Sequence, residues 1–381
     1  MQRFLVSPRN EWTKQVEALG FVFHTPKPTE LYWDESVCYV FSTPQIEEIE
    51  KATAEIYELF LQAGQHIIDE KLFHLFKIPE YIVPYLIEQW NKESPAIYGR
   101  FDFSYDGTGV PKMLEFNADT PTSLFEASII QWSWLQVYDK TQDQYNSLHE
   151  KLIDYWAYLR PYLRTGALYF TCVKENTEDF ITTEYLRDCA MQAGIDAKFI
   201  DLKNVGWNEE MQQFVDEKNQ PIKNLFKLYP WEWLVNEPFG EHIVHDTCAW
   251  IEPIWKMIFS NKAILPILWE LFPDNPYLLP AYFHSNEMTD YVKKPILSRE
   301  GSNVAIYKNG KPIVSTPGEY GEEGFIFQAL AELPNFDGYF PVIGSWIIGQ
   351  QPAGIGIRES NTLVTDNKSR FVPHYIEMFE V

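Results

Sequence analysis

The chain has 381 residues, 45% of them hydrophobic and 22% charged, proportions that are ordinary for a packed globular protein and argue against a disordered chain. At about 100–200 residues per domain, this length predicts two or three structural units, or one large unit with insertions. The formal net charge of -23 disfavours nucleic acid, whose phosphates carry the same sign. Such a surface would attract a cationic substrate, although a plain acidic surface is an equally simple explanation.

The cysteines and the N-terminus bear on the cellular compartment in which the protein resides. Cys38, Cys172, Cys189 and Cys248 lie far apart and form no CxxC pair, so neither a disulfide framework nor a zinc site is expected. Reduced thiols fit a cytoplasmic protein. The N-terminal residues 1–12 lack a continuous apolar stretch, and no run of 18 apolar residues occurs. We therefore expect neither a secretory signal nor a membrane-spanning helix.

The first predicted helix begins at Thr43-Pro44, where a threonine cap precedes proline at the first helical position. Apolar residues then recur at spacings of three and four over 46–67, which predicts one buried face of a long helix. A second helical segment is expected over 81–90, interrupted at Pro84. Both helices are interpreted as scaffold.

The middle of the chain predicts a parallel α/β unit. Helices are expected over 122–137 and 142–159, followed by a compact apolar strand over 167–173. A helix over 183–193, with Gly194 at its C-terminal cap, precedes a strand over 197–201. This strand–helix–strand order is typical of a right-handed βαβ unit.

The last third of the chain predicts antiparallel sheet. A helix over 251–271, broken near Pro266, precedes a switch to short strands. Lys308-Asn-Gly-Lys311 is a strong hairpin signal, because Asn-Gly suits a type I′ turn. Further strands are expected over 324–330, 339–348 and 355–357.

Side chains alternate along both arms of the segment 98–117, which predicts a hairpin of two strands that turns near Thr108-Gly109. Folding the arms about this turn pairs Arg100 with Asn117, Phe101 with Phe116, Asp102 with Glu115, and Phe103 with Leu114. The polar pairs then share one face and the apolar pairs the other. A bulge in the turn would shift this pairing by one residue.

The polar face of this hairpin carries ligands suited to Mg²⁺. Asp102 and Glu115 supply carboxylates and Asn117 an amide oxygen, all hard donors, and Mg²⁺ usually completes its shell with water and substrate phosphates. Arg100 adds a planar fork that fits phosphate or carboxylate. Acids and arginine together favour chemistry on a metal-bound nucleotide. The alternative is a salt-bridge cluster on a half-exposed sheet.

A predicted helix start follows the hairpin directly. Thr120 stands before Pro121, a pattern typical of an N-terminal cap. Exposed amide groups at a helix N-terminus bind anions, so a substrate carboxylate or phosphate would lie beside the metal. The alternative is an ordinary cap without a ligand.

Several separate motifs resemble the synthetase domain of glutathionylspermidine synthase, in collinear order over nearly the whole chain. They are Arg100-Phe-Asp102, the run 114–124 (LEFNADTPTSL), Val292-Lys-Lys-Pro-Ile296 with Gly301-Ser-Asn303, Gly344-Ser-Trp346, and the run 351–358 (QPAGIGIR). The resemblance implies an ATP-grasp fold. It also implies that ATP activates the glycine carboxylate of glutathione as an acyl phosphate, which is then transferred to an amine of spermidine.

The resemblance implies a mixed α/β fold class, an ATP-grasp fold with a preceding parallel α/β (pre-ATP-grasp) region. Residues 1–165 would form an N-terminal helical region with the hairpin, and residues 166–245 an α/β substrate-binding region. Residues 246–381 would bind the nucleotide. All three are expected to act as one catalytic unit.

Carried over by position, the family's metal ligands fall on Asp102, Glu115 and Asn117, which would hold two Mg²⁺ ions. Arg100 and Arg358 would stabilise the transferring phosphoryl group. These roles fit acyl phosphate formation, in which cations neutralise developing charge in a dry cleft.

The family's nucleotide-binding positions also have counterparts, with lysines at the phosphates and adenine, a glycine loop over the phosphates and a hinge beside the adenine. They are Lys262, Lys294, Glu300, Gly301, Gln328, Ala329, Leu330, Ala331 and Leu363. The acid Glu300 in the phosphate loop is a departure that puts the nucleotide contacts there in doubt.

The substrate positions are fewer. Arg100 and Thr120 would contact the peptide donor, and the acidic pair Glu178-Asp179 would hold an ammonium group of a polyamine. Simpler explanations exist for individual residues: the lysines could be solvated, Arg358 could end its strand in a salt bridge, and an acidic pair in a loop is common.

Two other functions stay open at this stage. One is a noncatalytic nucleotide- or peptide-binding protein that kept the fold, and the other is a phosphotransferase that releases the acyl phosphate without forming an amide. Only about 95 residues precede the hairpin, so we expect neither the amidase domain of bifunctional members nor hydrolase activity. Neither the donor and acceptor nor the oligomeric state is indicated.

Overall fold

The computed structural model describes residues 1–27, 30–285, 287–366 and 369–377. A π-helical turn, Glu126–Ile130, leads directly into the fourth helix. The α-helices are α1 (Trp12–Ala18), α2 (Thr43–Asp69), α3 (Val83–Asn91), α4 (Gln131–Tyr138), α5 (Leu148–Leu159), α6 (Thr177–Gln192), α7 (Trp231–Leu234), α8 (Lys256–Phe259) and α9 (Ile264–Leu271).

The strands span the whole chain and are short except near its C-terminal end. They are β1 (Gln2–Leu5), β2 (Val37–Phe41), β3 (Tyr98–Ser104), β4 (Lys112–Asn117), β5 (Leu168–Cys172), β6 (Ala197–Asp201), β7 (Gly206–Asn208), β8 (Gln213–Val215), β9 (Asn224–Leu228), β10 (Ala249–Ile251), β11 (Ala281–Tyr282), β12 (Tyr291–Pro295), β13 (Ala305–Lys308), β14 (Lys311–Ser315), β15 (Phe325–Ala329), β16 (Phe340–Ile348), β17 (Gln351–Ser360), β18 (Arg370–Val372) and β19 (His374–Ile376).

The strands form separate sheets that bring distant parts of the chain together. Two five-stranded sheets have the orders β18-β17-β16-β3-β4 and β11-β15-β12-β13-β14, and a four-stranded sheet has the order β10-β9-β5-β6. Strands β1, β2 and β19 form a small sheet that joins the two ends of the chain, and β7 pairs with β8. The sheet containing β3 is therefore shared by early and late segments, while the division into three regions stays a prediction.

The parallel unit is confirmed. Strands β5, β6, β9 and β10 all pair in parallel, and α6 connects β5 to β6. Gly194 has a φ of 79°, the left-handed conformation expected just past the end of α6. The predicted turn at Asn309-Gly310 is also confirmed, since both residues have positive φ and Lys308 pairs with Lys311.

Helix α2 has the predicted buried face, because the apolar positions from Ile46 to Ile67 lie in the core. Its cap is Ser42 rather than Thr43: the Gln45 side chain accepts a hydrogen bond from the Ser42 N–H at 3.0 Å. The helix packs on the sheet of β16, and the Thr53 and Ser345 hydroxyls meet there at 2.6 Å.

The helix predictions were wrong at two prolines. Pro84 lies in the first turn of α3 and does not interrupt it, and Pro266 lies in the first turn of α9. Proline lacks an N–H, but the N–H groups of a first turn have no partner within the helix. The predicted helix over 251–271 instead begins as strand β10, and its break falls at 260–263.

Other helix limits differ by about one or two turns. Helix α5 begins at Leu148 rather than near residue 142, and α6 begins at Thr177 rather than at residue 183. The Asn176 side chain explains the early start of α6, because it accepts hydrogen bonds from two first-turn N–H groups. Within the described residues, we find no helix that is long and apolar enough to cross a bilayer.

Candidate active site

The hairpin β3–β4 forms with most of the predicted register. Arg100 pairs with Asn117, Phe101 with Phe116, and Asp102 with Glu115, as predicted. A bulge then follows Asp102, so that Phe103 lies opposite Met113, and the predicted pairing of Phe103 with Leu114 was wrong. Leu114 lines a cavity beside the hairpin, and its carbonyl oxygen accepts a hydrogen bond from Lys294 at 2.9 Å.

Asp102 is held between two guanidinium groups. Arg100 Nε donates to Asp102 Oδ1 at 2.7 Å, and Arg358 Nη2 donates to Asp102 Oδ2 at 3.0 Å. Arg358 comes from β17, which β16 links to β3. Burial and the neighbouring Arg100 charge lower the pKa of Arg358, while Asp102 opposes this shift. Two arginines sharing one carboxylate leave positive charge for a further anion.

A glycine makes room for Arg100. Gly344 lies opposite Asp102 in the sheet, and a Cβ built on it would come within 2.7 Å of Arg100 Cδ. Arg100 is buried, and its Nη1 donates to the Thr122 carbonyl at 2.8 Å. The arginine therefore connects the hairpin to the loop that follows it.

Two lysines from later segments reach the second arm of the hairpin. Lys262 Nζ lies 3.2 Å from Glu115 Oε2, and Lys294 Nζ donates to Gln328 Oε1 at 2.8 Å. Burial would raise the pKa of Glu115, but the charges of Lys262, Lys294 and Arg100 outweigh it and hold the pKa at about 2. Burial lowers the pKa of Lys294 to about 8. Glu115 is therefore ionised at neutral pH.

The predicted metal ligands converge. Asn117 Nδ2 lies 3.2 Å from Asp102 Oδ2 and 3.5 Å from Glu115 Oε1, and rotation of the amide would present its oxygen to the same point. Among the described residues no group of three or more His, Cys, Asp or Glu side chains forms a metal site. Two carboxylates and an amide nevertheless fit Mg²⁺, which takes its other ligands from water and phosphate.

A cavity of about 470 Å³ joins these groups. Every predicted site residue except Glu178 lines it. The lining residues from that prediction are Arg100, Asp102, Glu115, Asn117, Thr120, Asp179, Lys262, Lys294, Glu300, Gly301, Gln328, Ala329, Leu330, Ala331, Leu363 and Arg358.

The cavity has an apolar slot at one end. Lys294 lies at its edge and donates a hydrogen bond to the Gln328 side chain. Gln328 Nε2 in turn donates to the Met113 carbonyl oxygen at 3.3 Å. A flat apolar ring would fit between the side chains of this slot while its charged substituent met the lysines and arginines. The slot is lined by Val292, Val304, Ile306, Leu330, Leu363 and Val364.

The loop after the hairpin is not a helix start, so that prediction for Thr120 was wrong. The first helical turn begins only after Ser123, whose φ of 70° cannot continue a right-handed helix. The irregular loop is held by Tyr98, whose hydroxyl donates to the Pro121 carbonyl at 3.1 Å. It presents Thr120 and Thr122 to the cavity through loop geometry.

The acidic pair Glu178-Asp179 lies on the first turn of α6. Asp179 lines the cavity, and burial, reinforced by Glu178, raises its pKa to about 7. Glu178 is half-buried beside it, and burial raises its pKa as well. A cationic group in the cavity would favour the ionised form of both carboxyls.

Arg299 was missed by the sequence prediction. Its Nη1 donates to Thr120 Oγ1 at 2.5 Å, its Nη2 donates to Glu232 Oε1 at 2.6 Å, and its guanidinium lies 5.6 Å from the Trp233 ring. It therefore bridges two walls of the cavity. Its position between Lys294 and Glu300 in a predicted phosphate-binding segment was a signal that could have identified it.

Comparison with known proteins identifies the family. Residues 3–377 match the glutathionylspermidine synthase preATP-grasp family, and the chain belongs to it. It is 39% identical to a Haemophilus influenzae protein named "Putative acid–amine ligase", over 96% of this chain and 97% of that one. It is 30% identical to trypanothione synthetase of Crithidia fasciculata, over 83% of this chain but 53% of that protein.

A solved structure supports the fold. A glutathione synthetase-like effector from Globodera pallida has a TM-score of 0.56 to this chain, with 11% identity over 91% of this chain and 90% of the other. The predicted family and the predicted ATP-grasp-type α/β fold are therefore confirmed. The chain is a carbon–nitrogen ligase of the ATP-dependent class.

Proposed function

We propose that this member of the family forms an amide from a peptide carboxylate and an amine through an acyl phosphate, using ATP and Mg²⁺. The observation that carries the proposal is the convergence of four cations on two carboxylates beside an apolar slot. Arg100, Arg358, Lys262 and Lys294 come from four separate segments, and all are at least nine-tenths buried or line the cavity. Such an excess of positive charge suits a polyphosphate.

The nucleotide is assigned to the apolar slot and the lysines. Adenine would lie against the apolar side chains, with the backbone of 329–331 at its edge, while the lysines would meet the phosphates. Glu300 and Gly301 lie in the loop that lines this end of the cavity. A positive φ of 67° at Gly301, and a Cβ position only 2.7 Å from the Thr365 carbonyl oxygen, require glycine there.

The metal is assigned to Asp102, Glu115 and Asn117, which would hold two Mg²⁺ ions together with the phosphates. Bound Mg²⁺ would neutralise charge on the phosphate oxygens during transfer. The low pKa of Glu115 supports this assignment, because a ligand carboxylate must be ionised.

In the first half-reaction a donor carboxylate oxygen attacks the γ-phosphorus of ATP, and ADP leaves. Arg100 and Arg358 stabilise the charge on the transferring group, since both meet at Asp102. Arg299 and Thr120 would orient the donor carboxylate beside it. Exclusion of water protects the acyl phosphate from hydrolysis.

In the second half-reaction the amine nitrogen attacks the acyl carbon, phosphate leaves and the nitrogen loses a proton. Glu178 and Asp179 would hold the cationic acceptor, and Asp179 lines the cavity. The net charge of -23 would draw a polyamine towards the protein. We assign a glutathione-like peptide as donor and a polyamine-like acceptor from the family name, and a reducing cytoplasm as compartment from the buried cysteines.

The test is to measure ADP release with Mg²⁺-ATP, glutathione and a panel of amines, and to identify adducts by mass spectrometry. Amide formation with at least one amine is expected. ADP release without an amide product would favour a phosphotransferase instead. No ADP release with any pair of substrates would leave a noncatalytic binding protein.

A matched pair of lysine variants separates catalysis from folding. Lys262→Met should abolish ADP release, because it removes a cation that lies 3.2 Å from Glu115. Lys308→Met removes an exposed lysine from strand β13 and should leave ADP release unchanged.

A further inference from the structure

A buried carboxyl group lies close to the acidic pair Glu178-Asp179. Glu126 is 1% exposed and sits on the π-helical turn that follows the loop of Thr120. Its Oε1 accepts a hydrogen bond from the Tyr32 hydroxyl at 2.7 Å, while its Oε2 has no partner among the described residues. A buried carboxylate oxygen without a donor is costly, whereas the protonated acid is far less so.

The surroundings of Glu126 connect it to the acidic pair. Helix α6, which carries Glu178, packs on the π-helical turn through Tyr185, whose ring lies 5.4 Å from that of Phe125 and whose hydroxyl bonds the Ser128 hydroxyl. The charged and titratable groups that face Glu126 are Tyr32, Glu178 and Arg100. Those that face Glu178 are Arg358, Arg100 and Glu300, together with the adjacent Asp179.

The two carboxyl groups cannot both be ionised cheaply. Burial, reinforced by the charge of Glu178, raises the pKa of Glu126 to about 8, and the hydrogen bond from Tyr32 opposes the shift. Glu178 is only half-buried and has both arginines of the site among its neighbours. A proton shared between them is therefore held on Glu126.

We propose that Glu126 is a positioning residue that holds one proton at neutral pH and thereby leaves Glu178 as the ionised carboxylate beside Asp179, the member of the acidic pair that lines the cavity. The assignment of an amine to Glu178 rests on the proposed function. The proton on Glu126 removes a second negative charge that would otherwise compete with Glu178 for Arg100.

Glu126 also supports the substrate loop through Tyr32. The Tyr32 hydroxyl bonds Glu126 and lies 3.2 Å from the Ser123 hydroxyl, at the residue with left-handed backbone. The neighbouring Thr122 carbonyl holds Arg100. Ionisation of Glu126 would strengthen the hydrogen bond that it accepts from Tyr32. The protonation state of Glu126 therefore also affects the loop of Ser123 that lines the cavity.

The first experiment needs no substrate. Infrared titration of the full chain carrying Asp179→Asn, which removes the neighbouring carboxyl group with a pKa of about 7, should show loss of a protonated carboxyl band centred near pH 8, the pKa of Glu126. This transition should be absent in Glu126→Gln and should move to higher pH in Tyr32→Phe, which removes a hydrogen bond that lowers the pKa. Absence of the transition in the Asp179→Asn chain, or its persistence when Glu126→Gln is added to that chain, overturns the proposal.

The second experiment distinguishes a charge effect from simple support of the fold. The pH dependence of the KM for the amine across pH 8 should differ between the wild type and Glu126→Gln, while that of the KM for ATP, which reflects Lys294 with its pKa of about 8, should be the same in both. Glu178→Gln should raise the KM for the amine at least about tenfold at every pH. Equal pH dependence in the wild type and Glu126→Gln contradicts the proposal. If no amide forms at all, the proposed function fails while the infrared titration still decides the role of Glu126.

Discussion

Two buried charge clusters in this molecule are built in opposite ways. In the scaffold, Lys256 forms an ion pair with Glu252, and its ammonium group also donates a hydrogen bond to the Tyr98 carbonyl oxygen. Glu252 in turn accepts the N–H groups of Ile97 and Tyr98. Here one cation meets one carboxylate, and the backbone satisfies what is left.

The cavity cluster has no such balance. Asp102 and Glu115 face two arginines and two lysines, so positive charge is in excess even when Glu178, which lies near the arginines, is ionised. A matched pair joins the segment that follows β10 to the start of β3 and stabilises the fold, whereas an unmatched cluster stores repulsion that a polyanionic ligand relieves. We therefore interpret buried charges that are paired one to one as structural, and a buried cluster with more cations than carboxylates as functional.

The largest effect is expected in the scaffold. Lys256→Met leaves Glu252 buried without its cation, which should lower the free energy of unfolding by about 3–5 kcal/mol. Chemical denaturation followed by circular dichroism measures it. The double variant Lys256→Met/Glu252→Gln should recover much of the loss, because no charge then stays unpaired. A single variant as stable as the wild type would show that the pair does not hold the fold.

An effect of similar size, but on activity, is expected in the cavity. Glu115→Gln should lower kcat for ADP release about 10²–10³-fold, because it removes a metal-ligand charge, and it should also lower the free energy of unfolding, because it removes a carboxylate that balances buried cations. Glu332→Gln, which removes an exposed carboxylate paired with Lys308, is the matched control and should keep full activity. Normal turnover by Glu115→Gln would remove the metal assignment.

The smallest effect at neutral pH concerns a buried base away from both clusters. His374 is fully buried in β19, its Nδ1 lies 2.9 Å from Gln131 Oε1, and burial lowers its pKa from 6.5 to about 3. The unfolded chain therefore binds a proton below pH 6.5 that the folded chain does not, so stability falls as pH falls from 6.5 towards 3.

Replacement of this histidine should flatten that dependence. In His374→Gln the loss of unfolding free energy between pH 7.5 and pH 5 should be smaller, by roughly 1.4 kcal/mol for each pH unit below 6.5. Denaturation at the two pH values measures the difference, and the carboxylates shared by both proteins cancel. Identical pH dependence in the two proteins would exclude His374 as its source.

The hairpin shows how much of the strand pairing can be predicted from the local alternation of side chains. Alternation of side chains correctly predicted the pairing of Asp102 with Glu115, but the pairing of Phe103 failed at the bulge. The backbone of Met113 accepts from Gln328 and donates to Tyr277, and the Leu114 carbonyl accepts from Lys294. These partners lie more than 150 residues away, so no local periodicity records them.

The loop and the phosphate-binding segment show the same limit. Thr120 was correctly placed beside the hairpin, but the predicted helix start there depended on a cap pattern that Ser123 breaks with its left-handed backbone. Arg299 was passed over although it lies within the predicted phosphate-binding segment, because a single arginine shows no periodicity. Its meaning comes from Thr120 and Glu232, which reach it from two other segments.

The sequence by itself determined the order of the elements, the parallel unit, the polar face of the hairpin and the family, because these depend on periodicity and on motifs along the chain. Only the tertiary structure decided that Lys262, Lys294 and Arg358 meet that face, and that charge there exceeds what the carboxylates neutralise. Charge balance is a property of residues close in space. Such closeness arises only when β3, β12 and β17 are assembled into neighbouring sheets.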